Sequence, residues 1–246
     1  MNPFIDLRFP LRGDTIPADH AYQLYAAIST LCPELHQEED ARKSALKDAS
    51  APAAVGIHTV TGQLIGGRRL RLNRSSALAF RLPSDQIGTL IALAGKTLRI
   101  GSDSIMTGVP QIEVLQPASS LRSRLICIKG AVTPNLILEK AARDITAMGI
   151  TSPDLQFIIP PPLNSAPRDG GQGRRILIEP TEQNGSSVMD HPVRRTLRIN
   201  GKEIIGFPLQ VSGLSASDSI LLQERGLGGR RHFGCGIFTS INSTGL

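Results

Sequence analysis

Apolar and polar residues alternate across residues 4–9 (Phe-Ile-Asp-Leu-Arg-Phe), the two-residue period of a half-buried strand. Gly13-Asp14 breaks that run. Pro17-Ala18-Asp19 then opens a helix over about 20–31, with Asp19 as its N-cap and Tyr22, Tyr25, Ala26 and Ile28 for an apolar face; Pro33 ends it. Residues 55–61 and 64–72 predict strands. In Arg69-Leu70-Arg71-Leu72 the leucines share one face and the arginines the other. A turn at 73–76 leads to a strand over 77–82, and Ser84 caps a helix over 85–94 that stops at Gly95. A further strand follows at 97–100. This order, β-α-β-β-α-β, is that of a ferredoxin-like unit.

The second half repeats the order. Residues 121–128 predict a strand, and Thr133-Pro134 starts a helix that ends near Met148-Gly149. Residues 193–199 and 202–211 alternate on either side of Asn200-Gly201, the strongest short hairpin signal, because both turn positions must accept positive φ. Ser215, with Asp218 three residues on, caps a helix over 216–225; 234–239 is the last strand. Strand, helix and glycine at 79–95 are echoed at 208–226. The chain therefore predicts an α+β fold of two tandem ferredoxin-like (β-α-β-β-α-β) domains, residues 1–116 and 121–246, joined near Gln116-Pro117-Ala118-Ser119-Ser120. The charged stretch 37–54 and the Pro-, Gly- and Ser-rich stretch 157–193 read as insertions, the second a long exposed loop.

Composition narrows the function classes. Of 246 residues, 40% are hydrophobic and 20% charged, as in globular proteins. No run approaches the about 18 apolar residues of a membrane span. The first residues lack the pattern of a signal peptide. A soluble, cytoplasmic protein with no membrane partner is the expectation. Three well-separated cysteines (Cys32, Cys127, Cys235) argue against a disulfide framework or a zinc site. The formal charge is +6, and 21 of the 27 basic residues are arginine, whose planar donor fork suits phosphate. An Arg-for-Lys bias across a whole genome would give the same excess. With no Trp, two Tyr and seven Phe, base stacking is an unpromising mode, so an RNA ligand should be gripped by backbone and shape, as a stem is.

The most specific segment runs from Gly226 through Leu227, Gly228, Gly229, Arg230, Arg231, His232, Phe233, Gly234, Cys235 and Gly236 to Ile237-Phe238. A dinucleotide-binding loop needs a strand before its glycines and a helix after them; here the order is reversed, and no GxxxxGK occurs. A small-molecule cofactor is therefore not expected. Glycines let the backbone come close to a ligand, and their N–H groups with Arg230 and Arg231 would grip phosphates. The competing reading is helix–sheet packing alone.

This loop, ending in Gly234-Cys235-Gly236-Ile237, resembles the C-terminal signature of the CRISPR repeat-processing endoribonucleases of the RAMP superfamily. Residues 17–22, Leu24-Tyr25, Leu35-His36 and Gly56-Ile57-His58 are similar to that family's N-terminal half. The resemblance implies a metal-independent endoribonuclease that binds the repeat stem–loop of a CRISPR precursor transcript. The 2′-hydroxyl would attack the adjacent phosphate, leaving a 5′-hydroxyl and a 2′,3′-cyclic phosphate, and the enzyme would stay bound to its hairpin. Other CRISPR effector subunits would be further partners. A non-catalytic RNA-binding subunit of a CRISPR ribonucleoprotein is the alternative.

The reaction needs proton transfer, for which histidine is suited. His36 is the first candidate, on its Leu-His context after the first helix; a charged histidine near a helix C-terminus is the plainer reading. Tyr25 matches an assisting tyrosine of some members. His20, in the first helical turn, is second, with a helix-terminal role as its alternative. His58 is third, with a solvent-facing strand position as its alternative. His232 lies in the glycine loop, and His191 precedes a proline. RNA contacts fall to Gly226, Gly228, Gly229, Arg230, Arg231, His232, Gly234 and Gly236, and to the hairpin arginines. Arg194 and Arg198 share one face of that strand and are preferred to Arg195, which lies with Leu197 on the other. Arg68, Arg69, Arg71 and Arg74 form a second cluster that an ordinary solvated face explains equally well. No metal-ligand spacing occurs.

Overall fold

The computed structural model describes residues 2–35, 55–151, 153–158, 192, 194–199 and 201–241. His36, His191, and the expected insertions 37–54 and most of 157–193 lie outside them.

The first unit begins with β1 (Phe4–Arg12), β2 (Thr15–Pro17) and α1 (Ala21–Leu31), followed by β3 (Gly56–Ile57), β4 (Gln63–Ile65), β5 (Arg69–Arg71) and β6 (Ala77–Pro83). The short helix α2 (Ile87–Ile91), β7 (Thr97–Ile100), β8 (Asp103–Thr107) and β9 (Gln111–Val114) complete it. The main sheet has the order β3-β6-β1-β8-β7, with β9 also paired to β1, all antiparallel. The alternation in β1 buries Ile5, Leu7, Phe9 and Leu11 beneath Leu24, Tyr25 and Ile28 of α1 and Leu90 of α2. Asp6 and Arg8 point to the opposite face.

The second unit comprises β10 (Ser120–Ile126), α3 (Pro134–Ala147), β11 (Asp154–Phe157), β12 (Arg195–Ile199), β13 (Lys202–Ser212), α4 (Ala216–Arg225) and β14 (Phe238–Ser240). Its order, β11-β13-β10-β14, matches β3-β6-β1-β9 of the first unit, so two ferredoxin-like units stand in tandem. The Asn-Gly hairpin forms as its residues predict: Ile199 faces Lys202, and Gly201 has φ +74°. Ser215 Oγ accepts from the Asp218 N–H at 3.1 Å, which fixes the start of α4.

Four local expectations are corrected. The run 64–72 is a hairpin, not one strand, because Gly67 (φ +68°) and Arg68 (φ +54°) reverse the chain and bring Leu64 opposite Leu70. The helix over 85–94 is cut short: Ser84–Gln86 is a 3-10 turn without a side-chain cap, and the Leu93 and Ala94 N–H groups close back on Leu90 and Ile91. The N-cap position of α1 is held by His20, not Asp19, and without a side-chain cap. Of residues 55–61 only Gly56–Ile57 joins the ladder.

One buried charge joins the two units. Arg81 on β6 is only 2% exposed and donates from Nε to Asp6 Oδ1 at 2.8 Å and from Nη2 to Asp6 Oδ2 at 2.7 Å. Its Nη1 crosses to the second unit, bonding the Phe238 carbonyl of β14 and lying 3.4 Å from that of Gln223 in α4. His58 Nε2 adds a contact to Asp6 Oδ1 at 3.1 Å. Burial alone would raise the Asp6 pKa. His58 and Arg81 overcome it and hold the carboxyl well below the usual carboxylate range.

The sign of the pH effect follows from that depression. The pair's contribution is fully present above the unfolded aspartate value and is lost as pH falls through about 4 and below. Asp6→Asn leaves a buried guanidinium half-answered and should cost about 3–5 kcal/mol near neutral pH. It should also flatten the acid limb of the stability curve, as read by urea denaturation from pH 2 to 7. An Asp6→Asn protein as stable as wild type at pH 7 would contradict this account.

Candidate functional site

The glycine-rich segment leaves α4 at Gly226 (φ +65°) and folds back on itself before β14. Seven of its N–H groups are already used: Gly226 to Leu222, Leu227 to Gly236, Gly229 to Cys127, Phe233, Gly234 and Cys235 to the loop's own Arg230 and Arg231, and Gly236 to Leu125. A Cβ on Gly226 would collide with the Arg231 guanidinium and the Gly236 carbonyl, and one on Gly228 with the Cys127 carbonyl. One on Gly234 would lie 2.6 Å from Thr59 Oγ1. Gly236 meets Leu227 in the same way. Close packing thus accounts for four glycines. Gly229 differs, facing open space.

The two adjacent arginines part company. Arg230 adopts the left-handed conformation (φ +65°) and is exposed beside Gly228 and Gly229. The 3-10 turn that follows carries Arg231 inward to 5% exposure, beside Gly226 and Gly56, where the missing Cβ atoms leave room for its guanidinium. Of the two arginines expected to grip a ligand, Arg230 is exposed and Arg231 is buried against Gly56 of β3. Beneath the loop, the buried Cys127 and Cys235 sulfurs lie 3.6 Å apart. That hydrogen bond pulls the Cys127 thiol down and, with burial, pushes Cys235 far up.

The seam between α1 and the loop is aromatic. Tyr25 packs on His232 at 4.7 Å between ring centroids and on Phe233 at 5.2 Å; His232 and Phe233 are 4.0 Å apart, and Tyr22 is 6.2 Å from Phe233. Phe233 and Ala21 also pack on a small core of Leu125, Cys127, Leu197 and Cys235, which brings the β12–β13 hairpin against the start of α1.

His20 lies in this seam but faces inward, 1% exposed. Its Nδ1 donates to the Pro17 carbonyl at 2.9 Å, and its Nε2 accepts the Val60 N–H at 3.2 Å. Burial lowers its pKa, with Pro17 and Asp19 opposing and Arg124 reinforcing, so the neutral ring is favoured. His58 is held by Asp6 on the sheet face that meets the second unit. His36 follows Leu35 immediately, outside the described residues.

The hairpin arginines separate as the alternation requires, Arg194 and Arg198 on the exposed face and Arg195 on the face packed toward α1. Arg194 is exposed and pairs with Glu203 at 3.7 Å, and Arg198 is exposed opposite the same glutamate. Arg195 lies on the Leu197 side, half-buried and near Arg124. Arg124 was not singled out by sequence pattern. It sits where the β10–β13 register shifts between Ser123 and Ile126; Gly206 on β13 lacks the Cβ that would meet the Ile126 carbonyl there. Arg124 is open at its surface, yet crowded at its base: burial first, and then Arg195, push its guanidinium below its ordinary value. The two guanidinium groups act on one another electrostatically, an arrangement that can receive an anion. In the second arginine cluster, Arg69 is bound to Asp103 and Thr15. Among the described residues no group of three or more His, Cys, Asp or Glu side chains could hold a metal, and no helix is long and apolar enough to cross a membrane.

The sequence profile described as Cas6 Crispr matches residues 5–243. The chain belongs to the Cas6 CRISPR family. It is 31% identical over 235 residues to the CRISPR-associated endonuclease Cas6 of Myxococcus xanthus, covering 96% of this chain and 80% of that protein. Its fold is similar to that of a Cas6-related protein from Pyrococcus furiosus (TM-score 0.58, 12% identity, covering 98% of this chain and 100% of that one). It is also similar to a RAMP protein described as binding different RNA substrates (TM-score 0.57, 13% identity, covering 96% and 99%). The tandem fold read from the strand order is thus that of known Cas6 structures.

Close packing should separate the loop's glycines in thermal unfolding. Gly226→Ala should lose about 1–3 kcal/mol for backbone conformation alone, before any clash. Gly229→Ala, in open space, should melt within a degree or two of wild type. Equal losses at the two positions would refute the division.

Proposed function

We propose that this Cas6-family chain is an endoribonuclease that binds the repeat stem–loop of a CRISPR precursor transcript and cuts it to release guide RNA. The observation that carries the reading is the meeting of α1, the β12–β13 hairpin and the glycine loop at one seam, where Ala21, Leu197 and Phe233 share a small core and Tyr25 packs on His232; Arg195 lies on the Leu197 side of that hairpin, with Arg124 acting on it electrostatically. That is the arrangement a strand cut at a phosphate would need. The Myxococcus relative is named an endonuclease, and a RAMP protein of the same fold is described as binding RNA. Both descriptions support the assignment.

In the proposed chemistry the 2′-hydroxyl attacks the neighbouring phosphorus in line, and the 5′-oxygen departs. The products are a 2′,3′-cyclic phosphate and a 5′-hydroxyl. No metal takes part. Arg124 and Arg195 neutralise the phosphorane as charge builds on it, and Arg230 holds the backbone of the stem. Proton transfer falls to His36, one residue beyond the end of the described α1 region, with Tyr25 steadying the site from that helix. His20 has both ring nitrogens on backbone groups and is assigned a structural part. His58, bound to Asp6, belongs to the inter-unit contact.

His36→Ala should slow cleavage by roughly 10²–10⁴-fold, the usual worth of a positioned acid or base, with RNA affinity unchanged. A 2′-deoxy residue at the cut should block the reaction, and EDTA should leave it untouched. Full cutting of the deoxy substrate would remove the mechanism; inhibition by chelator would remove its metal independence. The arginines make a separate test. Arg195→Ala should lower RNA affinity and reduce the slope of log K against log salt by about 1, the loss of one phosphate contact. Arg194→Ala, already paired with Glu203, should change that slope much less. A larger effect at Arg194 would restore the outer face of the hairpin as the binding face.

A further inference from the structure

We infer that Tyr22, His232 and Phe233, backed by Tyr25, form a stacking pad for one unpaired nucleotide beside the scissile phosphate. The inference rests on the RNA-cleaving reading above and adds to it a base-binding subsite. Its starting point is a concentration of rings. The chain has only two tyrosines and seven phenylalanines and no tryptophan, yet both tyrosines meet Phe233, and Tyr25 also meets His232, at one seam.

A purely structural cluster would close over all its members. Here Tyr25 is buried, as a backing ring should be. Tyr22 keeps 38% of its surface open, and His232 and Phe233 are only partly covered. The rings border the Arg124–Arg195 pair. Ala21, next to Tyr22, packs in the same small core as Leu197, the neighbour on β12 of Arg195's face, and Arg124 acts on His20 one residue further back. Phosphate and ring contacts are therefore offered side by side, as proteins that hold single strands offer them.

The geometry also says which part of the transcript fits. Bases inside a stem have both faces covered by their neighbours and show a protein only edges and backbone. Only an unpaired base has a face to give. The pad thus calls for a nucleotide at the open foot of the hairpin, not within it. This revises the expectation, drawn from the scarcity of aromatics, that backbone and helical shape hold the RNA unaided. Few rings suffice when they are gathered at one place. A stacked base next to the cut would also stop rotation about the reacting linkage and help bring the 2′-oxygen into line.

The test uses the full chain and a repeat stem–loop RNA made uncleavable by a 2′-deoxy residue at the cut. 2-Aminopurine replaces each unpaired flanking nucleotide in turn, and binding is followed separately by anisotropy of a terminal fluorescein. With wild type, one flanking position should be quenched several-fold on binding. Tyr22→Phe should keep that quenching. Tyr22→Leu, apolar but not flat, and Tyr22→Ala should lose it, with affinity falling roughly tenfold, as for removal of one stacking partner. Binding without quenching at any flanking position overturns the pad and leaves the nuclease reading standing. So does quenching that persists in both Tyr22→Leu and Tyr22→Ala. Failure of wild type to bind the RNA at all overturns both.

Discussion

The paired charges of Asp6 and Arg81 are the constraint on which the rest of the site depends. The two residues face each other across β1 and β6, on the side of the sheet away from the helices. A guanidinium this deeply buried is tolerable only when nearly all its donors are answered. Asp6 answers two of them. The remaining reach is taken up by carbonyls of the second unit, at β14 and in the last turn of α4. The negative end of a helix dipole suits that arrangement. Since the glycine loop begins where α4 ends, holding that end against the first unit also fixes where the loop starts. The pair contributes position more than stability, because desolvation offsets much of its attraction.

Packing and binding are usually set against each other as explanations of a glycine-rich loop. Here they divide it. Gly226, Gly228, Gly234 and Gly236 lie against backbone or side chains, and most of the loop's N–H groups are spent on its own fold. What stays exposed is a short tip around Gly229 and Arg230. The inward turn of Arg231 explains how the tip is held: its side chain fills the space that Gly56 and Gly226 leave empty. A loop folded by its own hydrogen bonds presents one arginine in a fixed place, which a flexible glycine linker could not.

Signals local in the chain were legible. The alternation of β1, the Asn-Gly hairpin and the Ser215 cap each depend on a few neighbouring residues, and each forms as the sequence predicts. Features decided by distant contacts were not. The phase of β12 could be read, with Arg195 and Leu197 on one face, but only the docking of that hairpin against α1 shows which face looks into the seam. Arg124 owes its place to a register shift that Gly206 permits, and nothing within β10 announces it. Likewise the burial of His20 depends on the Val60 N–H, forty residues away in the chain. The single aspartate of β1, and an arginine in Ala79-Phe80-Arg81-Leu82, were the available hints of the inter-unit pair.

Why such a site should lie at a seam follows from what the reaction demands. The proposed in-line attack would fix three atoms of the transcript, and a small misplacement of any of them would cost rate steeply. A single ferredoxin-like unit offers one sheet face and one set of loops, enough to grip a stem but not to hold the strand on both sides of a phosphate. Two units set in register by a buried ion pair supply the second side. The first contributes α1 with its tyrosines. The second contributes the hairpin arginine, the bulged Arg124 and the ring-bearing loop. Loosening the Asp6–Arg81 contact would therefore separate the groups to which the proposed reaction is assigned, even though neither residue faces the seam itself.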